Sequence, residues 1–219
     1  MTVGPGQTIV IEGDPARHCF RIAAGTVRLY KVIADGRRLV TDFPGAGQCF
    51  GLTAPERHGC SAEAVSSTTL IRYPRRAVET AARTNPELAQ ALFRLACAEL
   101  EQARRHMLLL GRKSADERIA SFLLGLAERA DRPLRNVVHL PMSRQDIADH
   151  LGLTIETVSR AMTRFRRMGL IAPIGRQDVV LRRTARLRAL VDGRVSEPPA
   201  AFHPDGDARR DAMGLPLEA

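Results

Sequence analysis

The four cysteines, Cys19, Cys49, Cys60 and Cys97, stand far apart, form no CxxC pair and have no histidine at zinc-type spacing. A disulfide framework and a structural metal site are therefore without support, and reduced thiols are the expectation. Cys97 falls in a helical run and reads as a small buried hydrophobe rather than an oxidation sensor. The six histidines include no HxH pair, which argues against the clustered His and carboxylate ligands that a cupin-like metalloenzyme takes from neighbouring strands. No apolar run approaches the ~20 residues of a membrane-spanning helix. The amino terminus lacks a basic stretch followed by an apolar signal segment. The expectation is a cytoplasmic protein that is neither an enzyme nor a membrane partner.

Positive charge is what the chain has in excess. Lys and Arg number 33 against 24 Asp and Glu, a net charge of +9 with a pI near 10.5. Between Arg112 and Arg188 there are 16 Lys and Arg against 8 Asp and Glu, so the excess sits in the second half. A polyanion is the implied partner of that half. A length of 219 residues accommodates two modest domains.

Within the basic half, Arg144 to Met168 reads RQDIADHLGLTIETVSRAMTRFRRM. Ala148 is small where two helices must approach, and Gly152 stands where a tight turn needs positive φ. Ile147, Leu151, Leu153, Val158 and Ala161 supply the apolar contacts of a helix-turn-helix. The second helix carries Thr154, Glu156, Thr157, Ser159, Arg160, Thr163 and Arg164 on its other faces. That is more hydrogen-bonding capacity than a solvated surface needs. Glu accepts from cytosine N4, Arg forks onto guanine, and Ser meets a base or a phosphate. Ser143, paired with Asp146 in a capping box that starts the first helix, joins the candidate DNA contacts. After Gly169, residues 170–174 and 179–181 read as two strands around Gly175-Arg176-Gln177-Asp178, a wing. Arg176, Arg182 and Arg183 are placed there to meet phosphate. Double-stranded DNA is the predicted partner.

Residues 7–73 read as short strands separated by Gly-marked turns, with a hairpin at Ala34-Asp35-Gly36, a small β-barrel or jelly roll. From Pro86 to Arg112 only Gly111 interrupts a run of good helix formers. In it Phe93, Ala96, Leu100, Ala103, Met107 and Leu110 recur at alternating spacings of three and four, the seam of two paired helices. With no charge on that stripe, a constitutive homodimer is predicted. Ser114 and Glu117 form a second capping box, opening a helix from Ala115 to about Glu128. The fold class is α+β: a barrel over 1–81, a dimerisation helix over 82–112, a winged helix-turn-helix over 113–191, and a disordered Pro-rich tail over 192–219.

In this arrangement the chain resembles the CRP/FNR transcription regulators, from Gly4 to about Leu190. LPMSRQDIADHLGLTIETVSR (Leu140–Arg160) followed by Leu170-Ile171 is similar to the FNR and FixK branch, as is LLLGRKSADERIASFLL (Leu108–Leu124). The resemblance implies a cyclic-nucleotide-binding-like barrel. It also implies that Glu156, Ser159 and Arg160 read a TTGAT-N4-ATCAA-like palindrome, Glu156 and Arg160 sharing the G·C pair and Ser159 lying near the outer T. Low-oxygen respiration, denitrification or nitrogen fixation would be the regulated pathway.

The same resemblance constrains the effector. Cyclic-AMP-binding members carry an acidic residue for the ribose and an arginine for the phosphate, where this chain has Leu52 and Cys60; a buried phosphate without its arginine is strongly disfavoured. An iron–sulfur centre needs a cysteine cluster ahead of the barrel, and Cys19 alone stands near that end. Two readings stay open: a FixK-like regulator controlled by its own synthesis, or a haem-dependent nitric-oxide sensor with His18, His58 or His106 as ligand. Whether it activates or represses is equally open. For an activator, the loop Pro55-Glu56-Arg57-His58 is a candidate contact with RNA polymerase.

Overall fold

A computed structural model of the chain describes residues 1–52, 56–129 and 136–193. Of the expected tail over 192–219, the residues from 194 onward lie outside the described residues, as does Pro55.

The first part is built from β1 (Thr2–Val3), β2 (Thr8–Val10), β3 (His18–Ala24), β4 (Val27–Val32), β5 (Arg38–Asp42), β6 (Cys49–Phe50), β7 (Ser61–Ala64) and β8 (Thr68–Pro74). They form two four-stranded sheets, ordered β1-β8-β3-β6 and β2-β7-β4-β5, with every pairing antiparallel. The order crosses between sheets, as in a jelly roll, and bears out the expected barrel. Alternation explains the packing. Along β3, Phe20 and Ile22 point inward while Arg21 between them is exposed. Phe20, Ile22, Val27, Phe50, Ala62, Ala64 and Leu70 then fill the space between the sheets, with Phe20 stacked on Phe50 at 5.0 Å between ring centres. Each large side chain buried there contributes about 1.5–3 kcal/mol. Gly25 makes the β3–β4 corner possible: at φ 92° a Cβ would stand 2.5 Å from the Ser67 carbonyl oxygen.

Helix α1 (Arg75–Thr84) follows, so the expected barrel boundary at residue 81 falls inside a helix. Asn85 then caps α2 (Pro86–Arg112), its side chain accepting from the Leu88 N–H at 3.0 Å. The 27 residues of α2 include no buried one. Phe93 (69%), Leu100 (52%) and Met107 (64%) stand exposed in the single chain, as do Ala96 and Ala103. Leu110, expected in the same seam, is half-buried and leans towards Gly152 of its own chain. Cys97 departs from the expectation of burial in the single chain: it is exposed there, with none of the described residues of its own chain covering that face of α2.

The second part comprises α3 (Ala115–Arg129), β9 (Val137–His139), α4 (Arg144–Leu151), α5 (Ile155–Arg167), β10 (Ile171–Ile174), β11 (Asp178–Leu181) and α6 (Thr184–Val191). The predicted wing strands β10 and β11 gain a third partner in β9, and α6 packs on α3 through Leu187. Neither β9 nor α6 carries a strong local sequence signal. One apolar core joins the two parts, since Val40 and Phe43 of the barrel cluster with Phe122, Ile147, Leu151 and Phe165 of the second part.

Candidate nucleic-acid interface

Helix α4 begins at Ser143. Its hydroxyl accepts from the Asp146 N–H at 3.0 Å, and Asp146 Oδ2 in turn accepts from the Ser143 N–H at 3.0 Å and from its hydroxyl at 2.8 Å. The predicted capping box is complete, and it engages the Ser143 hydroxyl on both sides. Gly152 ends α4 at φ 60°, and Thr154 opens α5 by accepting from the Thr157 N–H at 3.2 Å. The two threonine hydroxyls also lie 3.0 Å apart. Ser143, Thr154 and Thr157 thus shape helix ends first.

Burial splits α5 cleanly. Val158, Ala161, Met162 and Phe165 face the core, whereas Glu156, Ser159 and Arg160 are exposed. These three come from the first two turns of the helix. Glu156 lies where the helix dipole favours an anion. Arg164 behaves differently: it turns back to α3 and pairs with Asp116, its Nε donating to Oδ2 at 3.0 Å. Its guanidinium joins two helices of the domain rather than standing free beside the other three. Arg176 is exposed in the turn between β10 and β11.

Several residues that hold this face were not singled out by sequence. Arg118 on α3 donates to the carbonyls of Lys113 (2.9 Å), Leu110 (2.8 Å) and Leu151 (2.9 Å), tying the end of α2 to the turn between α4 and α5. Asp146, only 2% exposed, offers its second oxygen to the barrel: Oδ1 accepts from Arg28 Nη1 at 2.8 Å and from Arg38 Nη2 at 2.6 Å. Arg28 also pairs with Glu63 at 2.5 Å and Arg38 with Asp149 at 2.7 Å. Spacing within α4 suggests the cap; nothing local pairs it with arginines 108 and 118 positions away.

Beside this network, His150 donates from Nδ1 to the Val40 carbonyl at 2.9 Å and stacks on His106 at 4.4 Å. Burial first, then His106, pushes the His150 pKa down to about 4, and burial lowers that of His106. Both line a cavity of about 620 Å³ between β5, α2, α3 and α6. His58 is buried in the barrel, with burial lowering its pKa, and His18 opens β3. Among the described residues no three His, Cys, Asp or Glu side chains are grouped to hold a metal, and no helix is long and apolar enough to cross a membrane.

At the positions where a cyclic nucleotide would need a carboxylate and a guanidinium, the barrel presents the half-buried Leu52 and Cys60. Burial raises the Cys60 thiol pKa, which disfavours charge there further. These residues do not fit a cyclic phosphate.

Comparison with known proteins matches residues 1–85 to the cyclic nucleotide-binding domain and residues 117–190 to the Crp-like helix-turn-helix domain. The chain is 43% identical over 187 residues to the nitrogen fixation regulation protein FixK of Bradyrhizobium diazoefficiens, covering 84% of this chain and 78% of that protein. It is 46% identical over 187 residues to FixK of Azorhizobium caulinodans, covering 82% and 75%. The structure of FixK2 from Bradyrhizobium japonicum superposes with a TM-score of 0.82 at 39% identity, covering 87% of this chain and 95% of that one.

Proposed function

The chain belongs to the CRP/FNR family of transcription regulators, and from that premise we propose that it acts as a FixK-like homodimer reading a TTGAT-N4-ATCAA-like palindrome. Its relatives' names point to nitrogen-fixation control for the target genes. One observation carries the reading: α5 buries Val158, Ala161, Met162 and Phe165 and leaves Glu156, Ser159 and Arg160 together on its exposed face. Arg160 forks onto the guanine of the half-site and Glu156 accepts from a cytosine amine. Two such helices meet successive major grooves roughly 34 Å apart when two copies pair along the exposed stripe of α2. Arg176 on the wing supports a phosphate contact.

No cyclic nucleotide is required, because Leu52 and Cys60 give its phosphate no partner. The protein acts as an activator touching RNA polymerase through exposed barrel or reader surface. Of the loop considered for that contact, Glu56 and Arg57 are exposed while His58 is buried.

Fluorescence anisotropy of the ligand-free protein on the palindrome and on a scrambled duplex at one moderate salt concentration tests the reading. The expected result is selective binding that Arg160→Ala weakens by about 1–3 kcal/mol. Equal, salt-sensitive binding to both duplexes would overturn it.

A further inference from the structure

Helix α2 has two distinct faces. One is the exposed stripe of Phe93, Leu100 and Met107. The other, Gln102, His106, Leu109 and Lys113 at spacings of four, three and four, is half-buried. This second stripe lines the cavity of about 620 Å³ at the junction, together with Thr41 and Phe43 of the barrel and Phe122 and Leu124 of α3. The volume is that of a site for a small organic molecule. Gly125, also in the lining, has no other local explanation. It stands in the interior of α3, where glycine weakens a helix. It takes no positive φ, and a Cβ there would meet nothing within 4 Å. Neither backbone geometry nor close packing calls for a glycine; what its missing side chain leaves is room in the cavity.

The polar groups of the lining decide the chemistry. Asp42 is already matched by Arg129 at 3.0 Å. Arg105, Glu128, Arg188 and Asp192 are exposed, where water screens them. Burial lowers the pKa of both His106 and His150, so the stacked rings are neutral at neutral pH. Lys113 remains. It is half-buried, and its ammonium, which has three donors, gives one to the Ser121 hydroxyl at 2.8 Å. Two turns of α2 separate it from His106, roughly 10 Å along the helix. Leu109 lies between them on the same face, and Phe122 and Leu124 add apolar wall. We propose that the junction cavity is a binding site for a small amphipathic carboxylate, its head on the Lys113 ammonium and its apolar body along Leu109 towards His106. Because barrel, α2 and α3 all contribute walls, a bound molecule favours the docked arrangement over any in which those walls part. The site is separate from the barrel interior, which Phe20, Phe50 and their neighbours fill. The inference does not depend on which duplex α5 reads.

The probe is octanoate, whose extended chain spans about the distance from Lys113 to His106, with octanamide as its uncharged counterpart. Each is titrated into the full-length protein carrying labelled leucine methyls, as wild type, Lys113→Met and Gly125→Leu. Octanoate is expected to bind saturably, one per chain, moving the Leu109 and Leu124 signals. Octanamide should bind the wild type about tenfold more weakly or worse, the share of a charge-assisted hydrogen bond. Lys113→Met should weaken octanoate by a similar factor and leave octanamide unchanged. Gly125→Leu fills the cavity and removes a helix glycine, so it should lose binding of both while its urea midpoint stays at or above that of the wild type. Saturating octanoate should raise the midpoint of the wild type and not that of Gly125→Leu. Equal affinity of the wild type for octanoate and octanamide overturns the carboxylate assignment. Binding by Gly125→Leu as tight as that of the wild type, unsaturable binding, or shifts confined to Leu29 and Leu70 of the barrel overturn the site.

Discussion

Replacing Asp146 by alanine removes two functions in one step. The carboxylate half of the capping box at the start of α4 is lost, while the Ser143 hydroxyl still accepts from the backbone N–H of residue 146, at a cost of about 0.5 kcal/mol. The carboxylate that Arg28 and Arg38 share at 2.8 and 2.6 Å is lost as well. Removing one partner of a buried pair outright costs about 3–5 kcal/mol, but Arg28 keeps Glu63 and Arg38 keeps Asp149, so the second part of the loss falls below that range. A total of about 3 kcal/mol is expected. Asp146→Asn keeps an oxygen for the cap and loses the charge, and it should fall about midway. Urea denaturation followed by circular dichroism at one fixed protein concentration measures both, since a dimer's midpoint moves with concentration. High salt should leave most of the difference in place, because Asp146 is screened from solvent. Asp146→Ala within about 0.5 kcal/mol of wild type, the range of an ordinary surface change, would refute the network's role.

Leu100→Glu places a carboxylate on the exposed stripe of α2, where the proposed two-fold dimer would set it against its own symmetry copy. Light scattering after size exclusion should find a monomer at micromolar concentration, and a persisting dimer would move the interface elsewhere. Gly152→Val forces a β-branched residue to φ 60° with its Cβ 3.3 Å from Leu110 and 3.4 Å from Arg118. A loss of about 2 kcal/mol in urea is expected, and a midpoint equal to wild type would remove the argument for glycine. His150, held neutral by burial with a pKa of about 4 against an ordinary 6.5, takes a proton more readily when unfolded. Stability is therefore full above about pH 6.5 and falls by about 1.4 kcal/mol per unit as pH drops towards 4. His106 and His58, both lowered by burial, act in the same direction. His150→Phe should flatten the profile, and a wild-type midpoint that rises on acidification would contradict the burial account.

The barrel, the long helix and the helix-turn-helix were legible because their signals are local. A strand alternates inward and outward over a few residues, as β3 does from Phe20 to Ala23, and a capping box spans four. The seam of α2 was legible in the same way, as a stripe with no partner inside the chain. What could not be read is where residues remote in sequence meet. Asp146 looked like a cap and is also a barrel contact. Ser143 was legible as a cap, whereas Thr154 and Thr157 looked like free donors, although Thr154 caps α5 on the Thr157 N–H and their hydroxyls lie against each other. Arg164 looked like a groove contact until Asp116, 48 positions away, turned it back. Helix α6 was missed because its eight residues include one buried side chain, Leu187, which is too little periodicity to recognise.

The junction between barrel and reader bears on how regulation works. A barrel tied to its DNA reader by α2 alone would leave the reader free to pivot. Here Val40 and Phe43 are buried in the reader's own core, worth about 1.5–3 kcal/mol each. Arg28 and Arg38 hold Asp146 and Asp149 beside them, and the Val40 carbonyl is matched to His150. Undocking must give up these contacts together. Reversing a difference of about 5.5 kcal/mol takes a ligand with roughly 10⁴-fold preference for one state. With Leu52 and Cys60 where a nucleotide phosphate would need its partners, a cyclic nucleotide has no means of supplying that preference. Any ligand that shifts the reader relative to the barrel would have to supply that preference through other groups.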